Sequence, residues 1–413
     1  MRPLRVADGW VWPGEAAADS WLRGLGLAAG GRIALGGLNR EATVQVLAAA
    51  LRLGLTVVPL NRRLTVDELR AQHRRAAVDL AIADPAHPLM QAVPCTALPE
   101  FIGPPGYGGP LRGALVLFTS GTTAEPKAVR LGADRLQAAV RAHVAALALG
   151  ADDVWSLPLP LDHVGGIMAT LRALNCGCAV TLEAAPGAAA TGASLVPTML
   201  ARLVDAGTPP PPGLHLALIG GGPLDQALAT AARRLGWPLR ETYGLTEMGS
   251  MVTLDGVAVP GALVRIDDGR ILVGGSMLFD GYETDGGLQP ADAWHATGDL
   301  GALQDGRLRV TGRLAELIVS GGENVAAREV EEALLAHPQV AEACVVGLPD
   351  AQWGELVAAA VVVRDGLDPA SLDAWLQPRL AGFKRPRRWL AVAALPRSAL
   401  GKVQRHIVRG WFP

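Results

Sequence analysis

The amino-acid sequence predicts an α/β protein. A large N-terminal domain of layered α/β sheets spans residues 1–312 and includes a small β-rich subdomain at 257–311; a small α+β C-terminal domain spans 313–413. Three observations carry this reading. Short β-type runs alternate with amphipathic helical stretches from near residue 30 to about 250, the pattern of layers built on largely parallel sheets. Helical periodicity then disappears between Val257 and Arg309, where Gly-punctuated alternation takes over. From Arg313 onward strands and helices return in a stretch of about 100 residues, close to the usual domain size.

The elements follow in order. Strands are expected at Arg32–Leu35, Thr56–Leu60, Asp79–Ala83, Ala114–Phe118, Ala179–Leu182, Ser194–Val196 and Leu214–Ile219, each a short aliphatic run bounded by turn residues. Helices are expected at Glu41–Leu53, Val66–His73, Ala133–Leu149, Thr198–Ala206 and Leu224–Leu235. Leu263–Ile266 and Arg270–Val273 read as strands of the β-rich part. The last region offers a helix at Ala326–Ala336, strands at Ala343–Val346 and Val357–Val363, a helix at Pro369–Leu380 and a late strand near Trp389–Ala393. A domain boundary is expected near Gly312.

Composition narrows the function classes. Half of the 413 residues are apolar and 18% are charged, which suits a globular chain. With 37 basic and 39 acidic residues the net charge is −2, so charge provides no argument for nucleic acid or an anionic membrane surface. Cys95, Cys176, Cys178 and Cys344 contain no C-x-x-C pair and are too few for a disulfide framework, so a reducing cytoplasmic setting is expected. Met1–Trp12 has no apolar signal-peptide core, and no run of about 18 uncharged apolar residues marks a membrane span. A homodimer is the base-rate expectation for oligomeric state.

Only three lysines occur, Lys127, Lys384 and Lys402, among 37 basic residues. Where a chain so strongly favours Arg, a retained Lys marks a place where a compact ammonium on a flexible stem has a use. Lys127 closes the densest polar segment, Phe118-Thr-Ser-Gly-Thr-Thr-Ala-Glu-Pro-Lys127. A strand delivers it to a loop in which Thr119, Ser120, Thr122 and Thr123 surround the flexible Gly121. Hydroxyls, backbone N–H groups and one ammonium make a cradle for polyphosphate. The Walker spacing is absent, which argues against a P-loop NTPase.

Further segments add chemistry. Glu241-Thr-Tyr-Gly-Leu-Thr-Glu247, read as a loop after a short strand, offers an aromatic face (Tyr243), a hydroxyl (Thr246) and a hard carboxylate suited to Mg²⁺ (Glu247). Upstream, a strand feeds Gly220, Gly221 and Gly222 into a helix, where glycine permits close approach of a ligand to backbone. Thr297-Gly-Asp299 places a carboxylate after a tight turn, able to accept both hydroxyls of a ribose. Gly312-Arg313…Glu316-Leu-Ile-Val-Ser-Gly321-Gly322 lies on the domain boundary, and Leu395-Pro-Arg-Ser-Ala-Leu-Gly-Lys402 presents a lysine near the C-terminus.

In order and spacing these segments, with Val58-Pro-Leu-Asn-Arg-Arg-Leu-Thr65 and Pro158-Leu-Pro-Leu-Asp-His163-Val-Gly-Gly, resemble the acyl-adenylate-forming superfamily over nearly the whole chain. The resemblance implies an acid–thiol ligase that uses ATP, Mg²⁺ and coenzyme A. A carboxylate attacks the α-phosphorus of ATP, pyrophosphate leaves, and a thiol then attacks the acyl-AMP. It implies that Thr119 to Lys127 hold the β- and γ-phosphates, with Thr123 and Glu247 at Mg²⁺. Tyr243 and Gly220–Gly222 would line the adenine, Asp299 and Arg313 take the ribose, and Thr246 touch the α-phosphate. Lys402 would bridge acyl carboxylate and α-phosphate. The C-terminal domain would be a mobile lid pivoting at Glu316, with Gly321 and Gly322 facing the pantetheine channel and Lys384 at a common family lysine position. His163, Ser194, Thr198, Gly244 and Met248 would line the acyl pocket. Alternatives within this frame are a medium-chain or aryl acyl-CoA ligase, or a relative that adenylates or binds nucleotide without making a thioester. The chain departs from the family pattern at Ala124 and Ala128, where Gly is frequent, at Asp162, where Phe or Tyr is common, and at Ala326-Ala327, which replace a common Tyr-Pro.

Overall fold

A computed structural model describes residues 11–12, 15–37, 40–99, 106–107, 110–119, 126–364, 367–397 and 403–412. The chain divides into two compact units, one of Met1–Val264 with Val273–His295, the other of Arg265–Leu272 with Ala296–Pro413. Residues 296–311, part of the expected β-rich subdomain, therefore group with the C-terminal residues.

The first unit holds two mixed sheets. One runs, edge to edge, Gly287–Pro290, Gly281–Thr284, Lys127–Leu131, Ala114–Thr119, Thr56–Pro59, Arg32–Gly36, Leu80–Ala83 and Cys95–Ala97. Its centre is parallel, as the βαβ pattern requires, and Ile33, Val57, Ile82 and Leu115 are fully buried there. The strands at the other edge are antiparallel, which the alternation pattern did not foretell. The second sheet runs Ala179–Thr181, Val154–Ser156, Gly192–Leu195, Leu216–Ile219, Leu239–Leu245, Ser250–Leu254 and Val257–Ala258. Again the first five strands are parallel and the last pairings antiparallel.

Helix boundaries have local causes. Val66–Arg75 begins in a capping box, with Thr65 accepting from Glu68 N and the Glu68 carboxylate returning to Thr65 N. Gln226–Arg234 is capped by Asp225, which accepts from Ala227 N and Leu228 N. A helix absent from the expected set, Val164–Cys176, starts at His163 and runs through Gly165 and Gly166. Glycines at its start mask its helical pattern. Gly166 is required because a Cβ there would overlap the carbonyl oxygen of Pro160.

The second unit contains a five-stranded sheet. Glu323–Ala326, Leu317–Ser320, Gly354–Val363 and Val340–Asp350 lie in that order, with Arg388–Ala391 parallel to Gly354–Val363. The central strand alternates faces. Val357, Ala359 and Val361 pack with Ile318, Val330 and Leu334, whereas Ala358 and Ala360 pack with Cys344, Leu395 and Val408. Helix Ala327–Leu335 agrees with expectation. The expected helix Pro369–Leu380 is shorter, a 3₁₀ turn at Pro369–Ser371 leading into Leu372–Leu376. The late strand is Arg388–Ala391.

Candidate active site

In the first unit, Ala114–Thr119 and Lys127–Leu131 pair antiparallel, with Thr119 opposite Lys127. Lys127 thus opens the return strand of a hairpin. Ser120, Gly121, Thr122, Thr123 and Ala124 lie outside the described residues. Gly281–Thr284 pairs with the return strand, Tyr282 opposite Val129. This register brings the Tyr282 ring centroid 5.0 Å from Lys127 Nζ. Tyr282 Oη donates to Glu247 Oε1 at 2.8 Å, and Phe279 N donates to the Glu247 carbonyl at 2.7 Å. The His295 ring sits edge-on to Phe279 and Tyr282, at 5.2 and 6.3 Å between centroids.

An ammonium, a carboxylate, a phenol and an imidazole therefore meet at one end of this sheet. Burial raises the Tyr282 phenol, as do the charge and hydrogen bond of Glu247, so Tyr282 stays a donor to the carboxylate. Burial lowers His295; Glu247 opposes that shift and Lys127 adds to it, so the ring stays neutral at physiological pH. Among the described residues no carboxylate pairs with Lys127, whose exposed ammonium can meet an incoming anion. No group of three or more His, Cys, Asp or Glu side chains among the described residues is placed to hold a metal. The Glu247 carboxylate, which meets the same Tyr282 side chain as Lys127, nevertheless has the hard oxygen donors that suit Mg²⁺. Sequence reasoning singled out Lys127 and Glu247 and missed Tyr282 and His295; the rarity of tyrosine, three in the chain, was the available signal.

The glycine turn follows Leu216–Ile219 and leads to the Asp225 cap. Gly221 has φ +76°, and a Cβ on Gly220 would overlap Thr242 Oγ1, so both positions need glycine. Tyr243 lies on the Leu239–Leu245 strand, a correction to the expected loop; the strand then turns through a 3₁₀ helix, Thr246–Met248. Its bulge between Tyr243 and Gly244 lets the Ser250 carbonyl come so close that only glycine fits at 244. Met248 is fully buried. Gly244 and Met248 thus have packing reasons for their identities.

The His163 segment holds the most informative polar group. His163 Nε2 lies 3.1 Å from Asn61 Nδ2 and 3.5 Å from Asp162 Oδ1. Burial raises the Asp162 carboxyl, partly offset by His163. Two turns into the same helix is Arg172, 4% exposed. Its Nη2 donates to Ser194 Oγ at 2.7 Å, Trp155 Nε1 donates to the same oxygen at 3.1 Å, and the guanidinium lies 4.6 Å from the Trp155 ring. Arg172 Nε has no partner, and among the described residues no carboxylate pairs with this cation. Burial pulls its pKa down to about 10. A buried cation without a counter-ion costs several kcal/mol, of order 3–5, unless a ligand supplies the anion. Ser194 Oγ already accepts twice, so its own hydrogen can serve an incoming acceptor. Ser194 was expected near the acid and Arg172 was not; an Arg inside an apolar helical run is the sequence signal for it. Thr198 stands in the first turn of Pro197–Asp205. Two clefts, of about 400 and 420 Å³, lie elsewhere in this unit, beside Trp294 and beside Trp237, and contain none of the expected site residues.

In the second unit Asp299 and Arg313 face each other across paired strands, joined by an ion pair of 3.0 Å. Gly298, at φ +74°, makes the turn, and Asp299 N donates to Thr297 Oγ1. Glu316 lies 3.5 Å from Arg405, which also holds the buried Glu331 at 2.6 Å. Gly321 and Gly322 have φ +63° and +84°, and a Cβ on Gly321 would press within 2.8 Å of the Trp353 ring, on which Arg387 stacks at 4.0 Å. Lys384 reaches both oxygens of Glu329, at 2.7 and 2.8 Å. Lys402 lies outside the described residues.

Comparison with known proteins identifies the family. The AMP-binding enzyme family model matches residues 107–282, and the model for the AMP-binding enzyme C-terminal domain matches 329–402. The chain is 33% identical to 2-succinylbenzoate–CoA ligase of Listeria innocua, covering 91% of this chain and 87% of that one. It is 32% identical to the enzyme of the same name from Bacillus velezensis, over 89% and 85%. Among solved structures, o-succinylbenzoate CoA synthetase from Bacillus subtilis in complex with the acyl-adenylate OSB-AMP superposes with a TM-score of 0.82 at 27% identity, covering 96% and 91%. ATP-bound MatB from Rhodopseudomonas palustris gives 0.83 at 26% identity, over 97% and 92%. With both family models matched in order and relatives aligned over nearly its full length, the chain belongs to the AMP-binding enzyme family.

Proposed function

We propose that this chain is an ATP-dependent acid–CoA ligase of the cytoplasm that forms an acyl-AMP intermediate and acts on 2-succinylbenzoate. The observation that carries the choice of acid is Arg172, a buried guanidinium with a hydroxyl and an indole beside it and no carboxylate partner among the described residues. A monoacid presents its one carboxylate to ATP and leaves such a cation unpaired. 2-Succinylbenzoate has two carboxylates, one to activate and one to pair with Arg172. The relatives named for this acid support the same reading.

In the first step a carboxylate oxygen attacks the α-phosphorus and the bond to pyrophosphate breaks. Negative charge gathers on the transferring phosphoryl, so fixed cations and donors lower the barrier. Lys127 and the hydroxyls of Thr119, Ser120, Thr122 and Thr123 hold the β- and γ-phosphates. Glu247, aimed by the hydrogen bond from Tyr282, would hold Mg²⁺, which would supply positive charge against the phosphates. Tyr243 and Gly220–Gly222 take the adenine, Asp299 the ribose hydroxyls with Arg313 fixing its carboxylate, and Thr246 the α-phosphate. Lys402 joins the acyl carboxylate to the α-phosphate. In the second step the CoA thiol attacks the acyl carbon and AMP departs with its phosphate. The boundary near Gly312 and the pivot at Glu316 serve the change between steps, and Gly321, Gly322 and Lys384 belong to the thiol side. The test is to incubate enzyme with MgATP and 2-succinylbenzoate without CoA, isolate the adenylate, and then add CoA. The reading requires one acyl-AMP per active site, converted to thioester on addition of CoA. Absence of the adenylate from competent enzyme overturns it.

A further inference from the structure

We infer that Cys176 and Cys178 form a reversible intramolecular disulfide, a thiol-modification site at the end of the helix that carries Arg172. The helix Val164–Cys176 stops at Gly177, which has φ 74° and ψ 14°, and Cys178 N returns to the Ala173 carbonyl at 3.0 Å. One residue in this compact left-handed conformation places the flanking Cα atoms about 5.5 Å apart, within the span a disulfide bridges. Only glycine takes that conformation without strain. Cys176 Sγ donates to the same Ala173 carbonyl at 3.3 Å, which holds both cysteines at the one turn. Cys176 is partly exposed and open to a small reagent, whereas Cys178 is 5% exposed and reachable chiefly from its neighbour. The neighbouring Cys178 thiol draws the Cys176 thiol down to about 7 against its own burial and the charge of Asp153. Cys178 is raised by the neighbouring Cys176 thiol, by burial and by Asp153, with Arg172 opposing. The division of labour is that of an attacking and a resolving thiol. Neither enters the ligase mechanism.

The oxidant is a small-molecule disulfide of the glutathione class. Cys176 thiolate attacks one of its sulfurs and expels a glutathione thiolate. Cys178 then loses its proton and attacks the Cys176 sulfur, expelling the second glutathione thiolate. Two protein thiols are oxidised and one disulfide is reduced to two thiols. Arg172 and Cys176 are four residues apart on one helix face, so closing the ring repacks the turn behind the guanidinium. This consequence, unlike the disulfide itself, rests on the proposed function. Oxidation is expected to raise KM for the acid several-fold and leave KM for MgATP unchanged.

The full chain is reduced, exposed to oxidised glutathione, quenched in acid, alkylated and digested with trypsin. Cleavage after Arg172 and Arg202 releases one peptide, 173–202, that holds Cys176 and Cys178 and neither Cys95 nor Cys344. The expected result is a loss of about two mass units, the two thiol hydrogens, with no alkylation, reversed by dithiothreitol. Full alkylation after oxidant, or a glutathione adduct that persists on Cys176, overturns the disulfide. In Cys178→Ser the adduct on Cys176 is expected to persist; the wild-type map stands alone if that variant does not fold. The mass result holds whatever acid is used, so it separates failure of the disulfide from failure of the functional reading. A fully oxidised enzyme with unchanged KM for the acid overturns the link to Arg172.

Discussion

Replacing Arg172 with Met removes a buried charge while nearly keeping its volume, and two effects of opposite sign follow. Activity should fall. If Arg172 pairs with the second carboxylate of the substrate, its loss leaves that carboxylate buried and unpaired, at a cost of about 3–5 kcal/mol. That corresponds to a drop of about 150- to 5,000-fold in kcat/KM for 2-succinylbenzoate. Stability should hold or rise. In the free protein the guanidinium has one strong hydrogen bond, to Ser194, and no counter-ion among the described residues. Ser194 keeps its bond from Trp155. Exchanging an uncompensated buried cation for a thioether of similar size is neutral or favourable. The assay is CoA-dependent thioester formation with 2-succinylbenzoate and with two monoacid analogues, 4-oxo-4-phenylbutanoate and 2-butanoylbenzoate, alongside thermal unfolding. Whichever monoacid is a substrate should be indifferent to the substitution. A variant that keeps wild-type kcat/KM for the diacid, or that loses the diacid and the accepted monoacid equally, refutes the reasoning.

Other outcomes follow from the same geometry. Tyr282→Phe removes the donor to Glu247 and should raise the Mg²⁺ concentration needed for half-maximal rate by about 10- to 150-fold, the worth of one hydrogen bond to a charged group; an unchanged Mg²⁺ titration counts against Glu247 as the metal ligand. His143 is fully buried, with Nε2 2.9 Å from the Met251 carbonyl, and burial first, then Arg172, takes its pKa down to about 3. Its unfolded pKa near 6.5 lies above that, so the unfolded chain binds more protons between them. Stability is whole above 6.5 and falls as pH drops toward 3, by as much as about 4 kcal/mol from this residue; urea unfolding at pH 7, 6, 5 and 4 should show this slope, flattened in His143→Gln. Gly166→Ala should cost about 1–3 kcal/mol by overpacking against Pro160. Gly165→Ala, where the nearest atom is Leu159 Cδ1 at 3.5 Å, should be neutral or stabilising; thermal unfolding of the pair decides, and equal effects would contradict the close approach.

The parallel centre of each sheet was legible in the sequence because a βαβ unit announces itself in alternating periods. The antiparallel edges were not. Lys127–Leu131 and Gly281–Thr284 are about 150 residues apart in sequence, and no local pattern encodes that pairing. The Tyr282–Glu247 contact is invisible for the same reason. The helix from Val164 was hidden by two adjacent glycines, of which Gly166 makes room for the Pro160 carbonyl, a need that exists only in the folded chain. Lys127, Glu247 and the Asp299–Arg313 pair were legible because their chemistry is concentrated in short segments. Arg172 was not, since burial without a counter-ion is a property of packing.

The most direct test of the account is pyrophosphate release from MgATP with separate acids, 2-succinylbenzoate, benzoate and fatty acids of several lengths, each with and without CoA. The account predicts release with 2-succinylbenzoate far above the others and, with CoA present, one thioester per pyrophosphate. Equal or greater release with a monoacid would contradict the role given to Arg172, and phosphate in place of pyrophosphate would contradict the adenylate itself.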